Sequence, residues 1–137
     1  MTFFQIEIPI DLQGLAAAQD ALEDWAAAAG VPRPAALRLR LVVEELVANL
    51  VEHAAWPAGP VPARLEVAWR PGSLTAVLED AAGPFDPTRA REAAAPRLEG
   101  DRVGGLGLGL VRKMTSGLRY LPLPEGGNRV NFSVRLG

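Results

Sequence analysis

The chain has 137 residues, enough for one domain with a proper core, and 49% of them are hydrophobic. Its 14 basic and 16 acidic side chains leave a net charge of -2, which argues against a dedicated nucleic-acid binder. With no cysteine, no apolar run of the roughly 18 residues a membrane span needs and no signal-peptide pattern, the reading is a cytoplasmic protein without disulfides, thiolate metal sites or a membrane partner.

From the N-terminus, Phe4, Ile6, Ile8 and Ile10 alternate with polar residues and predict a half-buried strand. Asp11 is placed to cap a helix over 12–29, in which Leu15, Ala18, Leu22 and Trp25 recur at helical spacing and which Gly30 stops. Pro32 and Pro34 open a longer helix ending near Ala54, and Trp56-Pro57-Ala58-Gly59-Pro60 is a loop. Leu65, Val67 and Trp69 mark a second strand, which Pro71-Gly72 turns into a third over 73–80. From Ala81 to Gly104 the pattern dissolves, apart from a short helix near 88–95, and so long a connection is usually a lid or binding loop. A glycine cluster then opens a helix over 106–115. Strands around 118–123 and 129–136 follow, joined by a Glu125-Gly126-Gly127-Asn128 turn. The order predicts a two-layer α/β sandwich: a mixed, mostly antiparallel sheet with helices on one face, in a single domain over 1–137.

Three stretches carry chemistry. In the second helix Leu39, Val43, Leu46, Val47, Leu50 and Ala54 form the core stripe. Glu45 and Asn49, one turn apart, face roughly 140° away from it, with Arg38 and Glu52 near their line. They read either as a solvated helix face or as a proton acceptor beside an oxygen ligand for a hard cation. Next, Asp80 continues the parity of Leu74, Ala76 and Leu78 and so points to the helix-covered face. There it starts a turn or accepts hydrogen bonds from an exocyclic amine such as that of adenine. Last, Gly104-Gly105-Leu106-Gly107-Leu108-Gly109 lies at a helix entrance, either as a hinge or as a backbone cradle for phosphates.

In this order the three stretches resemble the bacterial anti-sigma-factor serine kinases, small members of the GHKL ATPase superfamily to which the histidine kinases belong. EELVANLVEHA is similar to that group's N box, LEDAAGPFDP to its first glycine box and GGLGLGLVRK to its second, and the likeness runs on to GGNRVNFSV. The resemblance implies a Bergerat-type fold that binds ATP with Mg²⁺ and transfers the γ-phosphoryl group to a serine of a partner. It makes Glu45 the general base, Asn49 the Mg²⁺ ligand and Asp80 the reader of the adenine amine. Gly83 and Phe85 would border the nucleotide, Gly104, Gly105, Leu106, Gly107, Leu108 and Gly109 would wrap the triphosphate, and residues 86–104 would form an ATP lid. Arg89, Arg91, Arg97 and Arg102 in that lid are candidates to neutralise phosphates. Asn128 falls where the superfamily places a polar nucleotide contact, and it shares the parity of Val130, Phe132, Val134 and Leu136. The implied partners are a STAS-type anti-sigma-factor antagonist, a sigma factor sequestered by partner switching, and a second copy of the chain in a homodimer. The alternative is a non-catalytic or weakly nucleotide-binding module of the same fold. It rests on one departure: aligned on Pro84-Phe85-Asp86-Pro87, Ala82 stands where the family has glycine. A Cβ there crowds the base or excludes a positive φ, unless Gly83 takes over that geometry.

Overall fold

The computed structural model describes residues 1–89 and 107–137. After strand β1 (Thr2–Ile8), the Asp11 carboxylate accepts the Gly14 N–H at 2.6 Å and opens helix α1 (Leu12–Ala29). Gly30 closes that helix in the left-handed region, φ 81°, with its N–H directed to the last carbonyls. Because the cap satisfies an otherwise orphaned N–H, Asp11→Ala is expected to cost about 1 kcal/mol. Urea unfolding checks it: the midpoint should fall while the slope stays the same.

Helix α2 (Arg33–His53) enters through Pro32 and Pro34, as the sequence predicts. Strands β2 (Ala63–Arg70) and β3 (Ser73–Asp80) follow, then helix α3 (Gly107–Met114), β4 (Thr115–Pro122) and β5 (Asn128–Val134). The sheet runs in the order β1-β2-β3-β5-β4, and every neighbouring pair is antiparallel. The expected mixed sheet is corrected by this topology. Strands β3 and β4 run the same way, but β5, returning from β4 by a hairpin, inserts between them. The onset of β4 is a second correction. It starts directly after α3, three residues before the predicted strand, and Gly117 (φ 63°) absorbs a register irregularity between Ser116 and Arg119.

One face of the sheet carries the core. Leu65, Val67, Leu74, Ala76, Leu78, Val130, Phe132 and Val134 are buried there under α1 and α2. The opposite face is charged, with Arg129 Nη1 3.2 Å from Glu79 Oε2. Two polar contacts fix α2 in place. The Gln19 side chain on α1 donates to Glu44 Oε1 at 3.1 Å, and Arg38 donates to the Arg135 carbonyl at 2.9 Å. Among the described residues no helix is long and apolar enough to cross a membrane.

Candidate functional site

Helix α2 is buried beyond its core stripe: Ala48 is fully covered and Asn49 is only 8% exposed. The solvated-face reading of Glu45 and Asn49 is therefore corrected. A helical wheel shows the stripe that meets the sheet, whereas this second side is covered by α3, a distant segment of the chain. Gly107 makes that approach possible, because a Cβ built on it would overlap the Glu45 carboxylate. Glu45 Oε2 and Asn49 Nδ2 are both buried without a hydrogen-bond partner among the described residues. Burial first, and then the neighbouring Glu44 and Glu52, push the Glu45 carboxyl above its ordinary pKa. Native structures rarely leave such atoms unsatisfied, so a donor and an acceptor one helical turn apart point to an absent polar group.

Across the cleft, Asp80 ends β3 opposite Asn128 on β5. Asp80 Oδ1 accepts the Ala82 N–H at 2.9 Å and Asn128 Nδ2 at 2.8 Å. Burial raises the Asp80 pKa, and these two hydrogen bonds offset part of that. Asn128, 2% exposed, also gives Nδ2 to the Gly83 carbonyl at 3.0 Å, and its Oδ1 accepts from the Phe85 N–H at 3.0 Å and the Tyr120 hydroxyl at 2.6 Å. All four hydrogen-bonding positions of the amide are thus used inside the protein. Asn128 sits beside Asp80 as its parity predicts, but it holds the loop instead of offering a free polar group.

That loop is anchored at several points. The Gly83 N–H donates to Ala55 O at 2.7 Å, and Thr88 closes a turn on Asp86 Oδ1 through its N–H (2.8 Å) and hydroxyl (2.6 Å). Pro87 is fully buried, and its carbonyl accepts Arg112 Nη2 from α3 at 3.2 Å. Ala82 is buried too, and no described non-glycine residue has a positive φ, so the conformational objection to alanine there does not apply. Gly83 is not in the left-handed region either, and a Cβ on it would meet Ala55 only at ordinary contact distance. Leu46, Asn49 and Leu50 form one wall of the cleft, Leu78, Asp80 and Val130 the other, and Phe85, 41% exposed, stands at the rim. The cavity they bound is about 20 Å³, room for one water-sized group, and it opens to solvent.

Residues 8–134 match the family described as the histidine kinase-like ATPase domain. The chain belongs to that family. Among solved structures, this ATPase-type domain is similar to the RsbU and RsbW domains of Rv1364c from Mycobacterium tuberculosis, at 17% identity and a TM-score of 0.66. That match takes in 99% of this chain but only 33% of the other, so the domain spans about a third of it. It is also similar to the SiaB–SiaC complex from Pseudomonas aeruginosa, at 17% identity and a TM-score of 0.57, over 96% of this chain and 88% of that one. Comparison with curated proteins gives no match.

Within this ATPase-type domain, Asn49, Asp80, Phe85 and Asn128 gather at one cleft, Glu45 lies one helical turn before Asn49 and against Gly107, and Gly107 and Leu108 are buried at the start of α3. Gly109 is half-buried on α3. Gly104, Gly105 and Leu106, the short helix near 88–95 and most of the predicted lid, with Arg91, Arg97 and Arg102, lie outside the described residues. Arg89 is exposed, 3.9 Å from Asp86. Sequence reasoning missed Tyr120, Gly127 and the Arg112–Pro87 contact. Only the Gly126-Gly127 pair ahead of Asn128 held a signal, and it read as an ordinary turn. Among the described residues no group of three His, Asp or Glu side chains gathers to hold a metal. The Asn49 amide nevertheless suits a phosphate with its cation: the nitrogen, without a partner among the described residues, is able to donate to a phosphate oxygen, and Oδ1 is the atom able to ligate a hard cation.

Proposed function

We propose that this chain is an ATP-dependent protein serine kinase that phosphorylates a STAS-type anti-sigma-factor antagonist and sequesters a sigma factor. The observation that carries the reading is the pair of buried atoms without a partner among the described residues: Glu45 Oε2, against Gly107 of α3, and Asn49 Nδ2, on a residue that lines the cleft together with Asp80. Asp80 takes the amine of the base, and Asn49 with the N-terminal turn of α3 faces the phosphates. When bound, Mg²⁺ neutralises charge on the phosphate oxygens, and Asn49 Oδ1 is the ligand this chain offers it. Glu45 accepts the proton of the partner's serine as the serine oxygen bonds to the γ-phosphorus and the bond to the bridging oxygen breaks. A carboxylate whose pKa lies above its ordinary value is the stronger base once ionised. The two structural neighbours, one with an RsbW domain and one a SiaB–SiaC complex, support a partner-switching role.

Calorimetric titration with ATP in Mg²⁺, followed by transfer of γ-label to a co-encoded STAS protein, tests the reading. Saturable one-site binding and label on a serine are the expected results. Binding without transfer makes the chain a non-catalytic regulatory module, and no binding overturns the nucleotide reading altogether.

A further inference from the structure

The phosphoryl-transfer chemistry makes no use of Tyr120, although its hydroxyl reaches the centre of the cleft's hydrogen-bond network. The Phe85 N–H can only donate, so the Asn128 atom 3.0 Å from it is the amide oxygen. The Gly83 carbonyl can only accept, so the atom 3.0 Å from it is the nitrogen. With the amide oriented in this way, the Tyr120 hydroxyl at 2.6 Å is the second donor to Oδ1, and the remaining N–H goes to Asp80 Oδ1. Asp80 Oδ1 is then filled from two sides, by Asn128 and the Ala82 N–H, while Oδ2 has no partner among the described residues.

We propose that Tyr120 is a positioning and specificity-determining residue for the base: through Asn128 it holds Asp80 as a fixed acceptor, so that a 6-aminopurine binds and a 6-oxopurine is refused. The inference rests on the nucleotide reading of the cleft and goes beyond it by placing base selectivity in a strand-edge residue that touches no nucleotide. A 6-amino group donates to Asp80, whereas a 6-oxo group presents lone pairs to lone pairs, and a loosely held carboxylate discriminates less well.

The experiment titrates the full chain and Tyr120→Phe, which removes one oxygen atom, with ATP, inosine triphosphate and purine-riboside triphosphate, the last having only hydrogen at C6. Tyr120→Phe should weaken ATP roughly three- to tenfold, about the range expected for one lost hydrogen bond, and leave the other two nucleotides unchanged. A uniform loss across all three marks a merely structural role and overturns the inference. Unchanged binding of all three does so as well, and so does a wild-type chain that binds ATP and inosine triphosphate equally. A wild-type chain that binds none of them overturns the nucleotide reading itself, and this inference with it.

Discussion

Glu45→Gln is expected to lower phosphoryl transfer at least about a hundredfold, the low end of what a positioned general base contributes, while ATP still binds. The same substitution should raise the thermal midpoint at neutral pH. The wild-type carboxylate sits under Gly107 with one oxygen lacking a partner among the described residues, and burial, Glu44 and Glu52 together raise its pKa. The folded chain therefore keeps the Glu45 proton to a higher pH than the unfolded chain does. Above that range an ionised Glu45 costs the fold stability. Below the ordinary carboxylate range both states are protonated and no penalty exists. The stability gained with glutamine should thus be absent in acid, grow as pH rises through the ordinary value, and be complete above the raised one. Melting curves over a pH series read the stability, and labelled transfer reads the chemistry. Normal transfer by Glu45→Gln would remove Glu45 from its role, and a pH-independent gain would remove the electrostatic account of its burial. A residue that is better for the fold when neutralised is a common sign of a functional site.

Gly127→Ala is the second large effect, on the order of 3 kcal/mol or roughly 10 °C in Tm. Two costs add at this position. Its φ of 109° lies where L-residues are strained, and a Cβ would overlap the main-chain oxygen of Asp80, with Ala81 Cα 3.1 Å away. Unlike the end of a flexible side chain, these backbone atoms cannot move without disturbing the β3–β5 pairing that carries Asp80 and Asn128. Gly126→Ala is the internal control. Its φ is 98°, but nothing lies within 4 Å of the added methyl, so it bears only the conformational cost. Thermal or urea unfolding of the two variants separates them. Equal losses would show that close packing on Asp80 contributes nothing.

Local rules made much of this legible in the sequence. The Asp11 cap, the Gly30 stop and the two prolines before α2 act within a few residues, and the structure has them where they were read. Two-residue alternation put Asp80 and Asn128 on one face, and they prove to be register partners. Contacts between distant segments were not legible. Asn49 looked solvated because the residues around it in the cleft, such as Asp80, Phe85 and Asn128, come from thirty or more residues later, and nothing on α2 announces them. The Asn128 parity was right, but the four partners that absorb its amide come from β3, its following loop and β4. Tyr120 was lost because β4 begins early and bends at Gly117, which breaks the alternation from which its direction could have been read. The missing glycine at Ala82 suggested a backbone that alanine cannot adopt, yet alanine fits there, buried and donating to Asp80.

The insertion of β5 between β3 and β4 ties the fidelity of folding to the birth of the cleft. Both of β5's neighbours precede it in the chain, and its pairing with them has to put Val130, Phe132 and Val134 against the helices. A slip of one residue would turn those three outward and carry Asn128 to the charged face, away from Asp80. The hydrophobic alternation that closes the sheet therefore also penalises the one-residue slips that would part Asn128 from Asp80.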